Sequence, residues 1–185
     1  MLIYSKSSLC LLLTALVTGC ATTTQLVLPD GRLAHEINCV GFGDCRMRHE
    51  LTTWLQTRGF SLPVAVHPRA TVADDVTIGP GTVIAAGAVV NPVTRIGSSV
   101  IINTSASVDH ECVIGDAAHI GPGAHLAGRV VVGQAAQIGI GATVIDRIHI
   151  GSGAIVGAGA VVVKDIPDHV VAYGVPARIR RMVNQ

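Results

Sequence analysis

Aromatic residues are scarce in this chain of 185 residues: they make up 3% of it, and none lies between residues 66 and 172. A conventional core of this size draws much of its bulk from Phe, Tyr and Trp. Hydrophobic residues nevertheless make up 49% of the chain, and there are 21 glycines. Disorder and a helical bundle are excluded by this composition, and the length allows one domain with a small appendage. Something narrow and repetitive must fill the stretch without aromatics.

Charge is also sparse. Charged residues make up 14% of the chain and the formal net charge is +1, with one basic cluster at Arg178, Arg180 and Arg181. A nucleic-acid-binding protein needs a basic patch or stripe that follows the phosphates. The sequence therefore predicts no nucleic-acid partner.

The N-terminus has the layout of an export signal. Residues 1–19 hold Lys6 and an apolar run from Leu9 to Val17 that is too short to span a bilayer as a mature helix. The segment 17–20 (VTGC) resembles the lipobox of bacterial lipoproteins, which implies cleavage before Cys20, lipidation of Cys20 and a membrane anchor. The alternative is a misassigned start or a fused fragment in the cytoplasm. Residues 20–39 are interpreted as a linker, and Cys39 and Cys45 are the two cysteines that could pair in an oxidising compartment.

A repeat of six residues runs through the rest of the chain. Every sixth residue is aliphatic, in the order Val66, Val72, Ile78, Ile84, Val90, Ile96, Ile102, Val108, Ile114, Ile120, Leu126, Val132, Ile138, Val144, Ile150, Val156 and Val162. A small or β-branched residue comes two positions earlier, as at Ala106, Cys112 and Ala124. Gly often follows the aliphatic residue, as at Gly79 and Gly115, and we expect it to supply the unusual backbone angles of a corner. Each hexad is predicted to be a short strand and a corner.

Three such hexads close one triangular coil, so the repeat predicts between five and six coils of stacked parallel strands. The fold class is therefore all-β, a parallel β-helix over residues 63–172. The repeat resembles the hexapeptide-repeat, left-handed β-helix proteins. That resemblance implies the left hand, and it implies a homotrimeric acyltransferase that uses acetyl-CoA or a similar donor.

One helix precedes the repeat. Residues 40–43 read as a strand end and a turn, and Asp44 to Gly59 as an amphipathic helix with Leu51, Trp54 and Leu55 on its inner face. The pair of glycines at 41 and 43 lacks the strand, helix and acidic partner of a dinucleotide site, so it is a weak signal for phosphate binding.

A histidine at a corner is the candidate general base. An acyltransferase must deprotonate an amine or hydroxyl and stabilise the oxyanion formed at the thioester carbon. His110 stands at the second corner position of its hexad, and Gly128 lies three hexads further on, one coil above. The Gly128 amide would therefore lie about 4.8 Å along the stack from His110, where the lack of a side chain lets a thioester approach. The competing interpretation is a solvent-exposed histidine on a turn.

Other histidines occupy different faces. Asn103 and His119 are too far from His110 within one triangular chain, but trimer packing could bring them to His110 of a neighbouring subunit. A carbonic anhydrase of this fold binds zinc on three histidines between subunits. The spacing from His119 to His125 places these two on successive faces, so no metal site is predicted; His125 and His149 are interpreted as surface residues.

The polar motifs resemble the bacterial sugar acetyltransferases that act on sialic acid hydroxyls or UDP-linked 4-amino sugars. The resemblance covers residues 40–181, and the segments that carry it are 66–68 (VHP), 101–104 (IINT), 109–116 (DHECVIGD), 119–123 (HIGPG), 126–128 (LAG), 162–165 (VVKD) and 174–178 (GVPAR). It implies that His110 is the general base, that Glu111 assists it, that Asn103 and His119 line the acceptor site, and that the tail 173–185 holds CoA. The CoA-binding residues it implies are Gly128, Lys164, Gly174, Pro176, Ala177, Arg178 and Arg180.

The sequence departs from that family before residue 40. Its members begin with a βαβ domain that binds the nucleotide sugar, and residues 40–62 match only the last strand and helix of that domain. Two hypotheses follow. The chain is an acetyl-CoA-dependent acetyltransferase acting on an amine or hydroxyl of a sugar or nucleotide sugar, with no permanently bound cofactor; alternatively, it is a non-catalytic trimeric β-helix, lipid-anchored or decayed. The identity of the acceptor and the choice between O- and N-acetylation stay open.

Overall fold

The computed structural model describes residues 26–27, 33–34, 44–58 and 62–183. The leader, Cys20, Cys39 and the strand end and glycine pair expected at 40–43 lie outside the described residues. Within the segment expected to be a linker, strands β1 (Leu26–Val27) and β2 (Leu33–Ala34) pair antiparallel. None of the helices in the described part of the chain is long and apolar enough to cross a membrane.

A parallel β-helix forms the body of the protein. Strands one coil apart pair in parallel; Ser107 of one strand, for example, lies between Val89 and His125 of its neighbours. Seventeen two-residue strands, β3 to β19, build three faces in rotation. Their bounds are β3 Ala65–Val66, β4 Thr71–Val72, β5 Thr77–Ile78, β6 Val83–Ile84, β7 Val89–Val90, β8 Arg95–Ile96, β9 Ile101–Ile102, β10 Ser107–Val108, β11 Val113–Ile114, β12 His119–Ile120, β13 His125–Leu126, β14 Val131–Val132, β15 Gln137–Ile138, β16 Thr143–Val144, β17 His149–Ile150, β18 Ile155–Val156 and β19 Val161–Val162. The predicted fold class is confirmed.

The aliphatic row forms the core. Its members from Ile84 to Val162 are each at most 4% exposed, and the alanines two positions earlier are fully buried. The first coil is the exception: Val66 is 45% exposed, and Val72 and Ile78 are half-buried. These three lie in the end coil, so they pack against a following coil on one side alone.

The corners contain two special positions rather than one. From Ile78 to Val156, the residue three places after each aliphatic has positive φ, whether it is glycine, as at Gly81 (φ 73°), or not, as at Glu111 (φ 59°). The glycines that directly follow the aliphatic residue do not, so the expectation that they supply unusual backbone angles is wrong. A Cβ at Gly79 would come within 2.6 Å of the Gly97 carbonyl carbon in the next coil. These glycines are needed because successive coils leave no room for a side chain there.

The helix α1 (Cys45–Thr57) begins after Asp44, whose carboxylate accepts hydrogen bonds from the main-chain N–H groups of Arg46 and Met47. Its inner face differs from the predicted one. Leu55 is buried as expected, but Trp54 is 36% exposed beneath the Arg58 guanidinium and Leu51 is half-buried. The other buried members are Cys45, Arg48 and Thr52.

Arg48 explains why a polar face is turned inward. Its Nε donates to the Ser99 carbonyl at 2.8 Å and its Nη2 to the Ala117 carbonyl at 2.6 Å, while the residue is 6% exposed. Thr52 is hydrogen bonded to the Ser99 hydroxyl. The helix therefore docks by hydrogen bonding to carbonyls at one corner of the β-helix, which hydrophobic periodicity does not reveal.

The six-residue repeat ends after Val162, and the next buried aliphatic residue, Ile166, comes four positions later rather than six. Ile166 bridges to Ile150, and β20 (Val170–Tyr173) adds to β18 in parallel and to β21 (Arg178–Met182) antiparallel. The turn between β20 and β21 is joined to β19 through Val161, whose N–H donates to Gly174 and whose carbonyl accepts from Ala177. The tail is therefore folded onto the last coil.

Candidate active site

His110 is held at a corner of the β-helix, directly after β10. Its main-chain N–H donates to Asp109 Oδ1 at 2.8 Å, and the same oxygen accepts from Asn91 Nδ2 at 2.9 Å. The hydrogen bond from the His110 amide is the main reason that the pKa of Asp109 lies below its usual value. Asp109 therefore fixes the corner from which the imidazole projects. Sequence reasoning assigned no role to Asp109.

A row of side-chain contacts continues from the imidazole through Glu111 to Arg129. His110 Nδ1 lies 2.9 Å from Glu111 Oε2, and Arg129 Nη2 lies 2.7 Å from the same oxygen. The hydrogen bond with His110, followed by that with Arg129, lowers the pKa of the Glu111 carboxyl. An ionised carboxylate only accepts hydrogen bonds, so the proton of the neutral imidazole is on Nδ1 and the Nε2 lone pair is available. Arg129 was not predicted to be a site residue. It lies three hexads after Glu111, so the repeat alone would have placed it next to Glu111 in the following coil.

Gly128 lies against the other side of the ring. A Cβ placed on it would be 2.6 Å from both Cε1 and Nε2 of His110. Within the described residues, the Gly128 N–H donates to no main-chain carbonyl. Gly128, whose N–H has no main-chain acceptor, is therefore the residue next to the basic Nε2 of His110.

Asn103 and His119 contact each other, with 3.1 Å between Asn103 Nδ2 and His119 Nε2. Asn103 Oδ1 accepts from the Thr104 N–H, so the amide group faces the imidazole and Nε2 is the acceptor. The proton of His119 is then on Nδ1, which is buried and has no hydrogen-bond partner among the described residues. Burial, with a smaller contribution from the Arg48 charge, lowers the pKa of His119 to about 4.

This pair belongs to a different face from the candidate base. Asn103 follows β9 and His119 begins β12, both in the eight-stranded sheet, whereas His110 follows β10 in the six-stranded sheet. Within one chain, the structure brings together His110, Glu111 and Gly128, and separately Asn103 and His119.

One edge of the β-helix joins His110 to the C-terminal end. His110, Gly128, Asp146 and Lys164 occupy the same corner position in successive coils, each three hexads after the one before. With about 4.8 Å between coils, Lys164 lies roughly 14 Å from His110 along this edge. The edge therefore offers an extended track that begins at the imidazole and ends at a cation.

The tail near this end presents more cations. Arg178 and Arg180 are exposed, and the Arg180 guanidinium lies 5.0 Å from the centre of the Tyr173 ring. Gly174 has a φ of 107°, which permits the turn that leads to the exposed Pro176. Ala177 is 8% exposed and its N–H is used by Val161, so its main role in the fold is to hold the tail on the last coil.

Across the residues that the structure describes, no three His, Cys, Asp or Glu side chains group closely enough to hold a metal ion. His125 instead shares a hydrogen bond of 2.8 Å with the Ser107 hydroxyl on the neighbouring strand.

Comparison with solved structures shows similarity to three bacterial proteins. PerB from Caulobacter crescentus, solved with CoA and GDP-perosamine, is 49% identical with a TM-score of 0.74; the match covers 75% of this chain and 67% of that one. The acetyltransferase domain of PglB from Neisseria gonorrhoeae FA1090, solved with acetyl coenzyme A, is 44% identical with a TM-score of 0.74, covering 75% and 68%. WeeI from Acinetobacter baumannii AYE is 33% identical with a TM-score of 0.72, also covering 75% and 68%.

A family model described as the GMPPB C-terminal domain matches residues 60–144. No match was found among curated proteins. This chain spans about two thirds of the length of PerB, PglB and WeeI. Each match includes three quarters of the residues of this chain. On the identity and coverage of these relatives, this chain belongs to the hexapeptide-repeat β-helix sugar N-acetyltransferase family.

Proposed function

We propose that this protein transfers the acetyl group of acetyl-CoA to the amino group of a nucleotide-linked amino sugar. The observation that carries the proposal is the contact of His110 with Gly128, because it joins a base to an uncommitted amide donor. Glu111 completes the arrangement by holding Nδ1. A general base and an oxyanion donor are the two functions that acetyl transfer requires.

The His110 imidazole acts as the general base. Its Nε2 accepts a proton from the acceptor nitrogen as that nitrogen attacks the carbonyl carbon of the thioester. The Glu111 carboxylate, itself paired with Arg129, stabilises the imidazolium that forms. A side chain that is 47% exposed leaves the ring open to a substrate from outside the β-helix.

The Gly128 amide stabilises the oxyanion. Attack on the thioester places negative charge on the carbonyl oxygen, and a fixed N–H at that point lowers the barrier. Collapse of the tetrahedral intermediate breaks the carbon–sulfur bond, and the CoA thiolate leaves with the electron pair. The proton held on His110 Nε2 then passes to this thiolate, so CoA leaves as the thiol and the base is restored.

The donor binds along the edge that runs from Gly128 to Lys164. An extended arm placed on this track has its thioester at Gly128 and its phosphates near Lys164, Arg178 and Arg180. Two relatives were solved with CoA or acetyl-CoA, which supports a donor of this kind. Gly174, Pro176 and Ala177 shape the turn that presents the two arginines.

N-acetylation is preferred to O-acetylation because one relative, 48% identical, is a perosamine N-acetyltransferase solved with CoA and GDP-perosamine. Asn103 and the neutral His119 supply polar groups for the acceptor. They lie on another face of the same chain, so they complete the site only if they come from a second subunit.

A homotrimer is therefore part of the proposal. Large apolar side chains remain outside the β-helix, with Val113 at 41% and Ile145 at 40% exposure, and an interface would cover them. Sedimentation of the purified chain is expected to give the mass of three copies. A folded, active monomer would remove the shared site.

The lipid anchor at Cys20 and a membrane location stay predictions from the sequence. Mass spectrometry of the native N-terminus is the direct measurement: an acylated Cys20 supports the anchor, and an unprocessed Met1 supports a cytoplasmic enzyme.

The function is tested by titration calorimetry with acetyl-CoA, followed by assays on nucleotide-linked amino sugars and, for O-acetylation, sialic acid. We expect binding of acetyl-CoA and acetylation of an amine. Binding without turnover on any acceptor would favour the non-catalytic β-helix, and a chain that does not bind acetyl-CoA would refute the proposed function.

A further inference from the structure

Three residues of the inward small row carry a polar hydrogen: Thr82, Thr94 and Cys112, all fully buried. Each donates a hydrogen bond to a main-chain carbonyl in the next coil, at the same spacing along the chain. The bonds are Thr82 Oγ1 to the Gly97 carbonyl at 2.8 Å, Thr94 Oγ1 to the Asp109 carbonyl at 3.0 Å and Cys112 Sγ to the Ala127 carbonyl at 3.2 Å. The common geometry shows that these are one device used three times.

These bonds occur at corners where a main-chain bond is absent. At most corners the carbonyl that follows the aliphatic residue accepts from the N–H three residues later, as Asn103 does from Ala106 and Gly121 from Ala124. In the part of the chain described, the carbonyls of Asp109 and Ala127 accept no such bond. Each of these two carbonyls accepts a hydrogen bond from the buried hydroxyl or thiol.

The two carbonyls belong to the peptides of the reactive edge. The Asp109 carbonyl shares its peptide group with the His110 N–H, and the Ala127 carbonyl shares its peptide group with the Gly128 N–H. We propose that Thr94 and Cys112 are positioning residues for acetyl transfer: from inside the β-helix they orient the peptides of His110 and Gly128. This inference rests on the proposed function, since it assigns the Gly128 amide to the oxyanion.

Two physical effects follow for Gly128. A hydrogen bond to the carbonyl oxygen polarises the amide and makes its N–H a stronger donor. The same bond fixes the plane of the peptide, so the donor does not reorient when charge develops on the thioester oxygen. The thiol remains protonated and able to donate because burial raises the pKa of Cys112.

The kinetic test compares variants of matched size. Cys112→Ala removes the donor, and Cys112→Ser retains one. We expect Cys112→Ala to lower kcat about tenfold, less than the loss of 10² to 10³ seen when an oxyanion donor is deleted, with acetyl-CoA affinity unchanged. Cys112→Ser should stay close to the unaltered protein. Equal loss in both variants would overturn the inference, because it would indicate packing alone.

A second pair of variants separates position from stability. Thr94→Val and Thr82→Val each remove a buried hydrogen bond to a main-chain carbonyl at nearly constant volume. Thr82 acts on the corner at Gly97, away from His110, and its Oγ1 also accepts from the Val100 N–H. Both should lower the melting temperature, Thr82→Val by more because it also leaves the Val100 N–H without an acceptor, and only Thr94→Val should lower kcat. An equal effect of the two on kcat would contradict the proposal, even if Cys112→Ala failed to fold.

A spectroscopic measurement keeps the inference separate from the activity. Labelling alanine with ¹³C at the carbonyl and glycine with ¹⁵N selects the Ala–Gly pairs, which are Ala86-Gly87, Ala127-Gly128 and Ala158-Gly159. In Cys112→Ala the amide proton of Gly128 should move upfield, and in Cys112→Ser it should return, while Gly87 and Gly159 stay unchanged. An unmoved Gly128 signal would overturn the positioning role. Absence of acetyl transfer in the unaltered protein would refute the proposed function and leave this result valid.

Discussion

The imidazole of His110 occupies the space that a side chain at Gly128 would fill: a Cβ on Gly128 would lie 2.6 Å from His110 Nε2. The absence of a side chain was expected to admit a thioester, and the structure adds a second reason for glycine at this position. The candidate base and the candidate oxyanion donor are therefore set by one contact between successive coils.

Replacing Gly128 by alanine should displace the imidazole. Gly128 does not have the positive φ that disfavours alanine, so the fold should tolerate the change, but the ring must move to avoid the new methyl group. A misplacement of about 1 Å costs on the order of 10²-fold in rate, and we expect a loss of kcat of that size. Steady-state kinetics with acetyl-CoA and an acceptor sugar measure it.

The control is the same change combined with His110→Ala. With the ring removed, Gly128→Ala should cost little in melting temperature, whereas any cost in the single variant should come from the clash. Full activity in Gly128→Ala would show that the ring does not need its observed position.

His110→Ala should separate turnover from binding. Loss of a general base lowers the rate by something like 10² to 10⁴-fold, while acetyl-CoA affinity should stay near normal because the proposed donor contacts are elsewhere. Changing Arg178 and Arg180 together to alanine should have the reverse effect and weaken acetyl-CoA binding. Calorimetry and initial rates on both variants check this. Similar losses of affinity in the two variants would contradict the assigned division.

Much of the fold could be predicted because a narrow β-helix imposes a strict repeat. Every sixth residue must be aliphatic where two inward positions per hexad fill the core, as from Ile84 to Val162. The role of the glycines that follow the aliphatic residues was predicted wrongly because glycine is used at the corners for two reasons, lack of space and positive φ. At Gly79 the next coil excludes a Cβ, whereas positive φ falls two residues later, at Gly81.

The candidate site was only partly predictable. A spacing of three hexads is enough to place Gly128 next to His110, and it would also have placed Arg129 next to Glu111. Arg48 could not be found in this way, because its partners are main-chain carbonyls. A carbonyl is present at every residue, so the sequence carries no sign of which one a side chain will meet.

Arg48→Met should release the helix α1 and spare the β-helix. The substitution retains an unbranched side chain but leaves the Ser99 and Ala117 carbonyls without the Arg48 donor, at a cost of about 1–3 kcal/mol for each unsatisfied group. Hydrogen exchange is the measurement: amides of Cys45–Thr57 should exchange faster, and those of Ile114 and Ile120 should stay protected. Arg46→Met, at an exposed position of the same helix, is the matched control. Faster exchange throughout the β-helix would mean that Arg48 supports the whole fold.

His119 should make stability depend on pH. In the folded protein burial lowers its pKa to about 4 from an ordinary value of 6.5, so between these values the unfolded chain binds a proton that the folded chain does not. Stability should therefore rise with pH across this window, by up to about 1.4 kcal/mol per pH unit, and be lost on acidification from pH 6.5 towards 4. His119→Gln removes the titrating group while keeping a polar side chain. The measurement is urea unfolding of both proteins at several pH values between 4.5 and 7.5. As pH falls, the advantage of the unaltered protein in free energy of unfolding should shrink, or turn in favour of the variant. Parallel curves of this free energy against pH would mean that the imidazole is not buried in solution.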